Sequence, residues 1–265
     1  GYDPPNAPIE LGRIRFILAT RGEFFGLDEL LNDSDVQESL IAIRRKIIGP
    51  DRLPERGRRL LELGLITDEG LAFPIVLEED YRLLRRDVEA LGEEVSGEVE
   101  DALADSVDSV EERCAAVLGE LDAALDAALV EEQRLRPLRL ARGEVFVCGF
   151  EGARGPALTS ECHEIEGGLR CMVEYGEGGE VVRVTLGRGS AASAESPLMT
   201  ELADRISRLS VERARLWASE LGFTGPKGDL FAYGFSKLVY ESILTVLSQK
   251  GFIPGALKLE YVVLL

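Results

Sequence analysis

Basic side chains are concentrated between residues 41 and 60 of a chain whose net charge is −18. This stretch holds seven basic and two acidic residues. Basic side chains that face solvent together can contact phosphate oxygens of a nucleic acid. The stretch therefore predicts an isolated positive surface that includes Arg44, Arg45, Lys46, Arg56, Arg58 and Arg59. The alternative is neutralisation within the chain, with Arg58 paired to Glu62 at i, i+4 and the others paired to a long acidic helix.

Two glycine-rich stretches, residues 149–156 and 225–229, offer weaker candidates for ligand binding. Successive backbone N–H groups beside Arg154 or Lys227 could cradle a phosphate. Neither stretch matches the P-loop or the dinucleotide-binding fingerprint, and ordinary turns are the favoured interpretation.

The chain has one histidine and four cysteines, without a C-x-x-C pair. His163 could act as a general base, but a surface-exposed side chain is favoured, and no nucleophile has an identifiable partner. We therefore assign no catalytic residue, metal or cofactor. Cys162 and Cys171 flank a predicted turn, so they could form a disulfide; two free, half-buried thiols are the favoured alternative.

Composition places broad limits on function. A chain of 265 residues predicts two or three domains. No apolar run approaches the roughly 18 residues that span a bilayer, and the first residues do not resemble a signal peptide, so we expect a soluble, cytoplasmic protein. The net charge argues against broad attraction to nucleic acid or anionic membranes. Scarce Asn and Gln suggest a thermophile.

The first 79 residues show mainly helical spacing of apolar residues. Asp33, Ser34 and Asp35 are candidate N-caps, and Asp68-Glu69-Gly70 is a turn between two short extended runs. The predicted helices cover residues 9–20, 27–31, 35–48 and 54–63.

The segment from Ile9 to Glu79 is similar to the winged-helix superfamily. The resemblance rests on its helices, on the basic helical stretch Arg56–Ile66 and on the apolar ribbon after it. A helix closing in Leu-x-Leu-Gly-Leu-Ile before a β-wing is frequent in winged-helix regulators. The resemblance implies that a recognition helix, either Asp35–Ile48 or Pro54–Leu63, enters the major groove of duplex DNA. It also implies that the basic side chains of the positive surface are nucleic-acid-binding residues that contact phosphates. Winged helices also dock other proteins.

Residues 80–136 keep apolar side chains at near-helical spacing, and eleven acidic residues without a basic one lie between Asp87 and Glu112. This pattern predicts a long helix or helical hairpin with an acidic, solvated face and a break at Ser96-Gly97. A dock for basic partners or a mimic of nucleic acid is the functional alternative.

Residues 137–265 alternate between strand and helix patterns. We predict strands at 144–148, 170–175, 180–186 and 257–265, the second and third joined as a hairpin about 176–179. A small-residue linker, 187–196, precedes helices that run from Pro197 to Gly222 and from Ser236 to Lys250.

The predicted fold class is α+β: a winged-helix-like domain (9–79), a long acidic helical segment (80–136) and an antiparallel sheet with helices on one face (137–265). The leading functional hypothesis is a DNA-binding transcriptional regulator whose C-terminal domain senses a ligand or forms a homodimer. The alternative is an adaptor or assembly subunit that docks proteins through its winged helix. An enzyme is the third hypothesis and rests only on Arg154, His163 and Lys227.

Overall fold

A computed structural model of the protein describes residues 14–22, 24–104, 106–107, 109–154, 158–165, 168–176, 178–186 and 196–264. Helices and sheets are both extensive, which confirms the α+β class. Two compact units are present. The first contains Gly1–Leu83, Arg136–Arg154 and Ala218–Gly234; the second contains Leu84–Leu135, Gly155–Trp217 and Phe235–Leu265.

The strands and helices follow one another in this order: β1 (Ile14–Gly22), α1 (Leu27–Leu31), α2 (Ser34–Arg44), α3 (Arg58–Glu62), β2 (Ile66–Thr67), β3 (Gly70–Leu71), β4 (Ile75–Val76), α4 (Glu78–Ala104), α5 (Val110–Ala115), α6 (Leu121–Glu131), β5 (Leu138–Leu140), β6 (Gly143–Glu151), β7 (Leu158–Ile165), β8 (Gly168–Tyr175), β9 (Glu180–Leu186), α7 (Pro197–Glu220), α8 (Pro226–Gln249) and β10 (Leu257–Leu264). Single 3₁₀ turns lie at Pro50–Arg52 and Glu55–Gly57, and a π-helix, Ala116–Glu120, joins α5 to α6.

The sheet of the first unit is built on β6. Strand β1 pairs with it antiparallel along its whole length, while β4 pairs with it parallel and β5 antiparallel. The predicted helix over residues 9–20 is therefore wrong from Ile14 onward, because Ile14 and Ile17 are buried in a strand rather than on a helix face. Residues 9–13 lie outside the described part.

Helices α1, α2 and α3 precede the β2–β3 hairpin, as predicted, but α2 ends at Arg44 rather than Ile48, and α3 begins at Arg58 rather than Pro54. Asp33 caps α2, since its carboxylate accepts hydrogen bonds from the backbone N–H groups of Asp35 and Val36 at 3.1 and 3.2 Å. Gly64 ends the α3 segment with a φ of 79°, a conformation that glycine adopts without a Cβ clash. The likeness to a winged helix itself stays a prediction.

Each glycine-rich stretch lies partly in a regular element, although residues 152–154 do follow β6 outside any helix or strand. Residues 149–151 belong to strand β6, and Pro226 starts α8, so that 226–229 form its first turn. Helix α8 therefore begins ten residues earlier than predicted. Its first part closes the core of the first unit, where the rings of Phe146 and Tyr233 stack with centroids 4.2 Å apart. Residues 155 and 156 lie outside the described part.

The acidic segment forms a long helix followed by shorter ones. In α4 the apolar positions from Leu84 to Leu103 are buried, which confirms the predicted stripe. The predicted break at Ser96-Gly97 is wrong, since α4 continues through it and the Ser96 hydroxyl donates to the Glu93 carbonyl at 2.9 Å. The helix ends at Ala104, and Ser109 caps α5 by accepting a hydrogen bond from the Glu112 N–H at 3.1 Å.

The sheet of the second unit has the strand order β7-β8-β10-β9. The predicted hairpin between β8 and β9 is wrong, because β10 lies between these strands, antiparallel to β8 and parallel to β9. The sheet is therefore mixed rather than antiparallel. Its inner face, with Val173, Leu259 and Tyr261, is buried, and α5 contacts β9 and β10 on this unit. Its outer face carries the exposed Met172 and Val181.

The β7–β8 hairpin places Cys162 opposite Cys171 in register. Cys171 is disulfide-bonded, whereas Cys114 and Cys148 are free and buried. The favoured prediction of a free thiol at Cys171 is therefore wrong, and the disulfide alternative holds for this residue. The predicted 187–196 linker lies outside the described residues, apart from Ser196.

Candidate functional site

The first group of predicted nucleic-acid-binding residues lies at the end of α2. Arg44 is half-buried: its Nε donates to the Ile75 carbonyl at 3.0 Å, and its guanidinium lies 5.2 Å from the centre of the Phe223 ring. Arg45 contacts two carboxylates, Glu79 at 3.0 Å and the buried Glu151 at 3.4 Å. Lys46 is exposed.

The second group lies on the 3₁₀ turn before α3 and on α3 itself. Arg56 Nη1 is 2.8 Å from a carboxylate oxygen of Asp33. Arg59 donates through Nη2 to the backbone carbonyl of Phe25 at 2.6 Å. Arg58 is exposed, and the predicted Arg58–Glu62 pair is not among the ion pairs of the described residues. Carboxylates of the chain therefore neutralise Arg45 and Arg56 but not the exposed Arg58 and Arg59.

An aromatic side chain next to Arg59 was not identified from the sequence. Phe24 is 8% exposed, whereas Phe25, in the turn that leads into α1, is 80% exposed. The Phe24-Phe25 pair is the signal that could have revealed this residue. The Arg59 hydrogen bond to the Phe25 carbonyl fixes the loop at the point where this ring projects into solvent.

Acidic side chains surround the elements proposed to read DNA. Asp35 and Glu38 are exposed on the first half of α2, and Asp68 and Glu69 are exposed at the tip of the β2–β3 hairpin. These carboxylates would face phosphates if α2 or the hairpin lay against a duplex, and like charges repel.

The remaining candidates are distributed over both units. Arg154 and Lys227 belong to the first unit and His163 to the second, where it is exposed on β7 opposite Arg170. A depression of about 510 Å³ lies on the outer face of the second sheet, and its described lining includes none of these three residues.

A buried polar cluster in the second unit was also missed. Lys237 on α8 contacts Asp122, and lies 3.2 Å from Asp126. The Tyr240 hydroxyl donates to the Val117 carbonyl in the π-helix, and burial raises the pKa of Tyr240 well above its ordinary value. Burial also raises the pKa of Asp122, while Lys237 opposes that shift. The sequence does not reveal this cluster, because Lys237 and Asp122 are 115 residues apart in the chain.

The cluster is best described as structural. Lys237 and Asp122 side chains are each 12% exposed, and the ammonium lies 5.5 Å from the centre of the Tyr240 ring. π-Helical turns are frequent at functional sites, but here the turn brings a carbonyl to the Tyr240 hydroxyl and places Gly119 against the Tyr261 ring. Both contacts pack helices and sheet together.

Two further properties bear on function. Among the described residues, no group of three or more potential metal ligands is present. One described helix, α8, is long and apolar enough to cross a membrane by length and composition, yet 78% of its most apolar window is buried inside the protein. That burial is typical of a core helix.

Comparisons with family models, with curated proteins and with solved structures find no match to this chain. The fold defines its class as a mixed α+β protein with two compact units.

Proposed function

We propose that this protein is a non-catalytic, cytoplasmic docking subunit whose winged-helix-like first unit binds another protein through the Phe25 surface, defined as Phe25, Arg58 and Arg59. The observation that carries the proposal is the 80% exposure of Phe25 beside Arg59. Aromatic and arginine side chains are over-represented among the residues that dominate binding energy at protein interfaces. The Phe25 surface combines both residue types.

The charge of the surface indicates the chemistry of the partner. Arg58 is exposed and has no ion pair within the described residues, and Arg59 is hydrogen-bonded to a neutral carbonyl. Both guanidinium groups keep donors and a positive charge for a second molecule. A partner segment with an apolar side chain flanked by carboxylates would suit this surface. Its apolar side chain would bury the Phe25 ring, and its carboxylates would pair with Arg58 and Arg59.

Duplex DNA fits these side chains less well. Sequence-independent DNA binding depends on several cations that neutralise phosphates together. Arg45 and Arg56 already contact carboxylates, Arg44 is half-buried, and Asp68 and Glu69 occupy the hairpin tip. The DNA-binding regulator remains the competing hypothesis because Lys46, Arg58 and Arg59 are exposed.

The test is photo-crosslinking in the native host with a benzophenone amino acid at position 25. We expect adducts with one or a few proteins, and we expect them to disappear in an Arg58→Glu/Arg59→Glu background. With the purified partner, Phe25→Ala should weaken binding by about 2 kcal/mol, or roughly thirtyfold, because the ring is the central apolar contact.

Leu216 supplies the matched control, since it is 60% exposed but belongs to α7 in the second unit. A crosslinker there should not trap the same protein, and Leu216→Ala should leave the affinity unchanged. Adducts with DNA at position 25, together with salt-sensitive binding of duplex DNA, would favour the regulator instead. No adduct at position 25 would contradict the docking proposal.

A further inference from the structure

Strand β9 has one side without a described partner. It pairs parallel with β10 without interruption, from Leu257 opposite Glu180 to Val263 opposite Leu186. Within the described residues, β9 is an outer strand of its sheet. The other side of its backbone therefore presents N–H and C=O groups to which another strand could add.

The sequence of this edge has little of the usual protection against pairing. Natural edge strands carry charged side chains, above all Lys, or Pro, or are interrupted by bulges, and Arg183 is the one charged residue at the centre of β9. The central residues of β9 read Val181-Val182-Arg183-Val184-Thr185, and its register with β10 contains no bulge. Val181 is 52% exposed. Four β-branched residues in a row of five make this edge well suited to a further strand.

The same five residues are nearly palindromic about Arg183. If two copies pair antiparallel with Arg183 opposite its equivalent, Val181 faces Thr185 on the outer side, and Val182 faces Val184 on the inner side. Both cross-strand pairs then join β-branched side chains, which stabilise antiparallel strands. The strand is therefore complementary to itself, as a two-fold interface requires.

The central positive charge of such an interface would be partly offset. Two arginines opposite each other would repel, but Arg183 lies 2.9 Å from Glu260 on the neighbouring strand. Glu260 also lies 3.8 Å from Arg170. Each copy thus brings a carboxylate next to its own central cation, and this carboxylate, although shared with Arg170, reduces the repulsion between the two central arginines.

We propose that two copies of this chain associate through β9. Their two four-stranded sheets then form one continuous sheet, in which the two β9 strands pair antiparallel. The exposed side chain of Val110 lies on α5, which contacts β9, and offers further apolar surface on this unit. The association does not involve the Phe25 surface and stands or falls independently of the docking function.

Sedimentation velocity from micromolar to millimolar protein tests the association. We expect the unaltered chain to sediment as a dimer. In Val181→Lys/Thr185→Lys, the introduced lysines of the two copies face one another, and the dissociation constant should rise at least about tenfold. In Val181→Lys/Thr185→Glu, each introduced lysine faces an introduced glutamate, and the dimer should return.

Met172→Lys is the control, because Met172 is 48% exposed on the same outer face but belongs to the inner strand β8. Circular dichroism spectra of all variants should match. A monomeric unaltered chain overturns the proposal, and so does a dimer that withstands the double lysine substitution. If Val181→Lys/Thr185→Glu stays monomeric, the proposed register is wrong and the proposal is overturned as well.

Discussion

The Asp33 carboxylate performs two tasks with its two oxygens. One oxygen accepts the N–H groups of Asp35 and Val36 at the start of α2, and the other pairs with Arg56 at 2.8 Å. A single side chain therefore caps one helix and holds the turn that leads into α3. The hydrogen bond from Arg56 is the main reason why the pKa of Asp33 lies below its ordinary value of 3.8.

This pKa shift predicts how stability changes with pH. A lowered pKa in the folded state means that Asp33 contributes stability above pH 3.8, and that this contribution is lost as the pH falls through the folded-state value. Asp33→Asn keeps a capping side chain but cannot ionise. In urea denaturation, it should be less stable than the unaltered chain at pH 7, and the difference should close below pH 3.8.

Arg56→Ala provides the complementary measurement. In this variant the carboxyl carbon of Asp33 should titrate closer to 3.8 by NMR, because the main cause of the shift is removed. A stability difference that stays the same at every pH would show that the charge of Asp33 contributes nothing.

Residue types revealed the basic stretch but not the environment of each side chain. The spacing of Arg56 and Arg59 suggests a basic face, yet the first meets Asp33 and the second a backbone carbonyl. Both contacts depend on how α3 packs near the start of α1 and α2. The state of Cys171 likewise depends on strand register, since a slip of one residue moves every side chain to the other face.

At the scale of elements, Lys237 joins α8 to α6 through an ion pair that is largely shielded from water. Its ammonium contacts Asp122, and both side chains are 12% exposed. Removing one member of a buried pair leaves a charge without adequate compensation, whereas replacing both by apolar residues removes the desolvation cost as well.

The pair therefore predicts non-additive mutations. Asp122→Ala should lower the free energy of unfolding by about 3 kcal/mol, because Lys237 then loses its most buried carboxylate partner and keeps the more exposed Asp126. Asp122→Leu/Lys237→Met should lie within about 1 kcal/mol of the unaltered protein, or above it. Urea denaturation followed by circular dichroism measures both. A double variant at least as unstable as the single one would contradict a buried charge as the cause.

Elements with local signals were predictable, and those fixed by distant pairing were not. The capped helix α2 and the apolar stripe of α4 follow from short-range spacing. Strand β1 has apolar residues at helical spacing, but it pairs with β6 along nine residues far away in sequence. Pairing over that distance outweighs the weak local preference of an ambiguous segment.

At the scale of the whole molecule, negative charge dominates. The chain has 48 acidic and 30 basic residues. Several acidic residues of α4 pair with cations of the second unit: Asp87 with Arg213, Glu98 with Arg205 and Glu100 with Lys250. Exposed pairs of this kind each contribute little. With a net charge of −18, repulsion among the acidic side chains destabilises the folded state.

Salt should therefore stabilise the protein. We expect the melting temperature to rise with KCl from millimolar to molar concentrations, because screening reduces self-repulsion more than it weakens exposed pairs. Glu94→Lys/Asp101→Lys replaces two exposed carboxylates of α4 and should make the rise shallower. A melting temperature that falls with added KCl would mean that ion pairs, rather than repulsion, control stability.

The grouping of the chain into units could not be read from local patterns. The sequence places boundaries at residues 79 and 136, and the structure changes unit between Leu83 and Leu84 and between Leu135 and Arg136. Further changes fall inside α7 and α8, where the periodicity continues without interruption. A helix that serves two cores has no compositional mark at the point of transfer.

The insertion of β10 between β8 and β9 also constrains the order of events during synthesis. β8 and β9 leave the ribosome one after the other, but the strand that separates them follows only after α7 and α8. Until then, the quickest contact open to β8 and β9 is with each other, across a short connection. The newly made chain must keep these two neighbours apart, or release them again, before its last strand can take its place.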